Sequence, residues 1–136
     1  MSTCPLQLRL AQARTRARVA TTQATMLGKM IRAVAAFRAG IVAEFDLDSL
    51  ASVATRRYAE AVVINRVIVV MYRRHTDMSY PEIAEAMGLP ASNQSTMQER
   101  HAAGLQCPKV MGWVERIEAK YMAGVGVEAG AKESAA

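Results

Sequence analysis

The chain has 136 residues, of which 51% are apolar and only 5% aromatic, with 17 Lys and Arg against 12 Asp and Glu and a net charge of +5. One domain's length and an Ala- and Met-rich apolar half favour a core of packed helices over a sheet. Cys4 and Cys107 are far apart and outside any framework, which argues for free thiols in a reducing compartment and against a disulfide scaffold or a zinc site.

The first 43 residues contain no acid and seven bases (Arg9, Arg14, Arg16, Arg18, Lys29, Arg32, Arg38), so they carry +7 and leave −2 for the remainder of a chain whose total is +5. Leu6 to Leu10 alternates with a period of two, a strand signal, but the Ala-Gln-Ala-Arg run that follows is helical, so residues 6–19 read as helix. Met26, Leu27, Met30, Ile31, Val34 and Phe37 then fall on one face of an amphipathic helix, with Lys29, Arg32 and Arg38 off the stripe and Gly40 as its expected stop. Residues 1–40 are therefore expected to form a basic helical arm, followed by a short turn from Ile41 to Phe45.

Asp48 or Ser49 is expected to cap a long central helix running to about Arg74. Its middle, Val62 to Ile64 and Val67 to Met71, is apolar nearly all round, as in a helix buried on several sides. The β-branched run also suits a strand, but its length and helical flanks favour the helix. The apolar stretch 61–72 is interrupted by Asn65 and Arg66 and is too short to span a bilayer, and no signal peptide is visible, so no membrane association is expected.

A short helix follows. Ser79 suits its N-cap, Pro81 its first turn and Glu82 the positive end of its dipole, while Ile83, Ala84 and Met87 make a narrow apolar stripe that Gly88 closes. A polar cluster comes next, in which Ser92 or Asn93 can cap a second helix. Two short helices around a Gly-containing turn form a helix-turn-helix pattern, in which the start of the second helix meets base edges. After a break at Gly104–Pro108, Met111, Trp113, Val114, Ile117 and Met122 predict a last helix from about Lys109 to Ala123, with Trp113 as a packing anchor. Residues 124–136 are small and polar and read as a disordered tail.

The run Ser79-Tyr80-Pro81-Glu82-Ile83, with Ala84, Met87-Gly88 and Ser95-Thr96 behind it, resembles the C-terminal DNA-binding domain of the chromosomal replication initiator DnaA, as in short phage and bacterial proteins that carry that domain alone. The resemblance spans about residues 41–104. It implies an all-α helical bundle with a long central helix and a Trp-repressor-like helix-turn-helix, the domain proper covering residues 41–123. It also implies a cytoplasmic, nucleoid-associated protein of a bacterial or phage-infected cell that binds double-stranded DNA. Counting back from the Tyr-Pro pair, the family's minor-groove Arg falls on Arg57 and a second basic contact on Arg73; a third falls on Asn65, with Arg66 one residue off. The family's Arg, Asp and His at the reading head become Ser92, Asn93 and Gln94, and Pro90-Ala91 lengthens the loop.

The expected DNA-contacting set is thus Arg57, Arg66, Arg73, Tyr80, Pro81, Ser92, Asn93, Gln94, Ser95 and Thr96. Gln94 and Asn93 retain the donor-acceptor pair that reads adenine in the major groove. Against this, the helix-turn-helix segment is not itself basic, and duplex affinity rests on phosphate neutralisation. Arg56, Arg57, Arg66, Arg73 and Arg74 converging on one side, or the basic arm, would supply it. No phosphate-binding Gly loop of the initiator ATPase is present, His75 and His101 have no nucleophile partner, and Glu82 and Glu85 have the spacing of ordinary surface charge. No enzyme activity, cofactor, metal or small-molecule substrate is expected. The expected function is a sequence-specific duplex-binding regulator of replication or transcription, with homo-oligomers open. The alternative is a helical interaction or assembly protein with a vestigial helix-turn-helix.

Overall fold

The residues read as an apolar spine form a helix, α3 (Ala59–His75), in which Val67 to Tyr72 are buried without exception. It belongs to an all-α bundle. The structure, a computed structural model, describes residues 5–125, and among them there is no strand. The other helices are α1 (Pro5–Phe45), α2 (Ala51–Ala54), α4 (Tyr80–Ala86), α5 (Gln94–Leu105) and α6 (Pro108–Tyr121), with a 3₁₀ turn at Ala91–Asn93 ahead of α5. Cys4 and residues 126–136 of the expected tail lie outside the described residues.

α1 is the longest helix, 41 residues, and it does not stop at Gly40. A Cβ at Gly40 would lie 2.7 Å from the Tyr121 ring and 3.1 Å from Ile117, so this glycine lets α6 approach closely and is not a cap. α1 therefore runs unbroken from the exposed arm into the bundle. Its C-terminal part anchors it through Ala33, Phe37 and Ile41, all buried, while residues 6–27 are exposed on every face. Phe37 meets the Tyr72 ring edge-on at 4.9 Å, and the Arg38 guanidinium donates to the Tyr72 hydroxyl and to the Ala86 carbonyl. The helix ends at Asp46, whose φ of 52° is left-handed.

The expected single helix from Asp48 to Arg74 is broken. The one-turn helix α2 has Leu50, not Asp48 or Ser49, as its N-cap, with Ser49 Oγ just ahead of it accepting from the Ser52 N–H, and the chain then runs non-helically through Arg56 and Arg57 before α3 begins. The break is secured from elsewhere: Asn65 Nδ2 donates to the Val53 carbonyl at 2.9 Å and Arg100 Nη2 to the Ala54 carbonyl at 2.8 Å. These are carbonyls at the end of α2 that a continuing helix would have paired. Leu50, Val53 and Ala54 are buried as a result.

α4 forms as its sequence dictates. Ser79 Oγ accepts from the Glu82 N–H, and the Glu82 carboxylate accepts from the Ser79 N–H at 3.0 Å, a reciprocal capping box. That bond holds the Glu82 carboxyl below its ordinary pKa. At the other end Gly88 (φ 79°) donates to Glu85 and Leu89 to Ala84, the paired bonds of a left-handed glycine cap. The second cap differs from expectation. Asn93 is the N-cap of α5 but makes no side-chain cap bond; the extra Pro90-Ala91 enters the 3₁₀ turn, whose backbone closes Asn93 N–H on the Pro90 carbonyl.

Gly104 also departs from the expected break. It lies inside α5, buried, where a Cβ would sit 2.8 Å from Val70 Cγ2, so the glycine allows α5 to cross α3 closely. The break comes later, at Gln106–Cys107, and Pro108 opens α6. Val110, Val114 and Ile117 bury one stripe of that helix. Trp113 packs on Phe45 with ring centroids 4.6 Å apart, the anchoring role expected of it. Glu118 of α6 receives Arg74 Nε at 2.9 Å and His75 Nε2 at 2.6 Å, which ties down the end of α3.

Candidate nucleic-acid interface

The α2–α3 break sets two consecutive arginines beside the start of α5. Arg56 and Arg57 come from the break, Arg66 from the second turn of α3, and Thr96 and Arg100 from the first turns of α5. Together with Asn65, Val62 and Glu99 they line one open cleft of about 250 Å³. Four guanidinium groups face a single carboxylate there. The segment from Ser79 to Leu105 is not basic in sequence, yet the start of α5 sits in a basic surface because Arg56, Arg57 and Arg66 arrive from other elements. An adjoining cleft of about 180 Å³ joins Arg56, Arg57 and Arg100 to Asn93 and Thr96.

Two polar atoms in the wall of the main cleft are buried and without a partner: Asn65 Oδ1 and Arg100 Nη1. Asn65, a polar residue within the core, is 2% exposed, and its amide is oriented by the bond to Val53. Burial pulls the Arg100 guanidinium below its ordinary pKa, with Glu99 acting in the opposite direction. Arg100 is therefore a wall residue that holds Ala54, whereas Arg56 and Arg57 are exposed and Arg66 is half-buried at the mouth.

The expected contact residues divide into three groups. Arg57, Arg66, Asn93 and Thr96 are brought together around these clefts. Ser92, Gln94 and Ser95 are exposed on the 3₁₀ turn and the first turn of α5. Arg73 and Tyr80 form a separate cluster, the Arg73 guanidinium lying 4.5 Å over the Tyr80 ring and donating to the Met78 carbonyl. Pro81 is half-buried beside them. The Tyr80 hydroxyl is 2.8 Å from His101 Nδ1, which fits a neutral ring accepting from the phenol. Burial, and next the charge of Arg73, lower the His101 pKa. Arg73, Arg74 and His101 also border a shallow cleft with Val70 and Leu105.

Arg100 is absent from the set read from the sequence. Its one signal is its position a helical turn after Thr96, which puts both on the same face of α5. Among the described residues no group of His, Cys, Asp or Glu is placed to hold a metal ion, and no helix is long and apolar enough to cross a membrane. Neither a protein-family model nor a curated protein nor a solved structure matches the chain.

Proposed function

We propose that this chain binds double-stranded DNA, with the first turn of α5 in the major groove and the arginines of the α2–α3 break on the flanking phosphates. The observation that carries this reading is the convergence of Arg56, Arg57 and Arg66 on Thr96 at the start of α5. Such a surface supplies phosphate neutralisation next to the exposed polar side chains of a potential reading head. Gln94 would read a base edge, Ser95 and Thr96 would contact bases or phosphates, and Tyr80 with Arg73 would hold the backbone on the opposite side. The exposed arm would add non-specific affinity through Arg9, Arg14, Arg16 and Arg18. The DnaA-like wording of residues 79–96 suggests a regulator of replication or transcription in a bacterial or phage-infected cell.

A second reading treats the chain as a helical assembly protein whose helix-turn-helix serves packing. It draws on the apolar side chains that α1 leaves exposed, Leu6 at 63% and Ile31 at 61% among them. A mobility-shift titration of the full chain on random duplex DNA between 50 and 200 mM salt tests the first reading. Binding that weakens steeply with salt supports it; no binding at 50 mM salt refutes it and favours the second.

A further inference from the structure

The exposed half of α1 carries an apolar repeat that the body of the protein does not use. Leu6 and Leu10 at one end and Leu27 and Ile31 at the other fall in alternating steps of four and three residues. The steps between are filled by Ala13, Ala17, Ala20 and Ala24. This is the spacing of a coiled-coil seam, sustained from residue 6 to residue 31 without a polar residue in it. Every one of these side chains is exposed. The seam ends where the helix joins the body, since the next positions, Val34 and Arg38, turn to the core and to Tyr72. Leu8, Val19 and Met26 are also apolar and exposed but lie off the seam, separated on their own faces by Gln12, Thr15, Thr22 and Gln23.

We propose that residues 6–31 of α1 pair with the same segment of a second copy, in an antiparallel coiled coil. The order of side-chain sizes along the seam is the first reason. It reads large at both ends and small in the middle, so reversal maps it on itself: Leu6 meets Ile31 of the second copy, Leu10 meets Leu27, and alanine meets alanine between them. An alanine centre lets two backbones approach closely.

Charge decides the orientation. In a parallel pair the flanking positions would set Arg9 against Arg14 of the other copy, on both sides of the seam. In the antiparallel pair Arg9 lies beside Met30, Arg14 beside Thr21 and Arg16 beside Gln23 of the other copy, so no two arginines are opposed. The outer faces are finished without a partner: the hydroxyls of Thr15, Thr22 and Thr25 bond back to carbonyls four residues earlier at 2.9–3.0 Å.

The segment is roughly 38 Å long at ~1.5 Å per residue. Pairing over that length would bury on the order of 1,000 Å² in total, the low end of specific interfaces, where weak and reversible pairing is found. The pairing segment stops short of Ala33, Phe37 and Ile41, the buried residues that anchor α1 in the body.

Sedimentation equilibrium of the full chain between about 1 and 200 μM tests the pairing, with a monomer–dimer equilibrium of micromolar Kd expected. The double substitution Ala17→Gln with Ala20→Gln should weaken it at least tenfold, while Thr15→Gln, on an outer face, should leave Kd unchanged. Both should melt like the wild type in the body. Orientation is read with single spin labels on a chain whose Cys4 and Cys107 are replaced by Ser. Labels at position 18 should lie close across the dimer, and labels at position 7 about 35 Å apart. A monomer at 200 μM, or equal sensitivity to the seam and outer-face substitutions, overturns the proposal, as do short distances at both label positions. The pairing does not rest on DNA binding: a dimer that ignores duplex DNA refutes the functional reading alone, and a DNA-binding monomer refutes this one alone.

Discussion

The molecule has two basic regions that are built in opposite ways. In the arm the cations are close in sequence and dispersed in space: Arg9, Arg14, Arg16 and Arg18 point to different sides of an exposed helix. In the cleft they are scattered in sequence, from Arg56 to Arg100, and gathered in space around the start of α5. The first arrangement can neutralise a polyanion but fixes no register. The second holds its cations at set positions relative to a helix end, which is what orients a reading head on a duplex. A charge tally along the chain sees the arm and misses the cleft.

The largest expected effect separates the two by charge. Replacing Arg9, Arg14, Arg16 and Arg18 by Gln should cost on the order of a hundredfold in affinity for random duplex at low salt and flatten the log–log salt slope by about 3–4. Preference among sequences should stay intact. Truncation is a poorer tool, because a cut at residue 40 would remove Ala33 and Phe37 from the core. If the fourfold variant binds random duplex as wild type does, the arm is not the non-specific element.

The cleft depends on the α3–α5 crossing. Gly104→Val would drive a side chain into Val70, and the expected cost is about 1–3 kcal/mol of stability in a denaturant titration. Unchanged stability would mean that the crossing is looser than its geometry implies. If the proposed reading head is right, Gln94→Ala should relax preference at one base position by about 1–3 kcal/mol without a uniform loss. A binding-site selection that returns the same motif for wild type and variant would remove Gln94 from the interface.

The smallest effect concerns pH. His101, which faces Tyr80 and Arg73 with Arg74 nearby, has its pKa lowered from the ordinary 6.5 by burial and by Arg73. The unfolded chain therefore takes up this proton first as pH falls, so His101 contributes stability that is present above about 6.5 and lost on acidification below it. Thermal melts of wild type and His101→Gln between pH 7.5 and 5.5 should show the wild type losing more. Parallel losses in the two proteins would contradict this.

What could be read from the sequence was local. The cap at Ser79, the stop at Gly88 and the apolar spine each follow from a few adjacent residues, and they stand where expected. What could not be read was decided at a distance. No residue near Thr55 to Tyr58 announces a break; Asn65 and Arg100 hold it by taking the end carbonyls of α2. Gly40 and Gly104 look like stops because a glycine's local meaning is a cap. Their role here is set by Tyr121 and Val70, side chains from other helices. The candidate site shares this limit. The polar side chains from Ser92 to Thr96 are legible in the sequence, but the arginine wall beside them exists only once α2 and α3 have separated.

The central claim is that the cleft grips phosphate. The most direct test is the salt dependence of duplex binding by the wild type and by Arg57→Gln/Arg66→Gln, two residues at the mouth of the cleft. The account predicts that the double variant, equally stable, loses affinity for all duplexes alike and shows a log–log slope shallower by roughly 2. A slope identical to that of the wild type would contradict it.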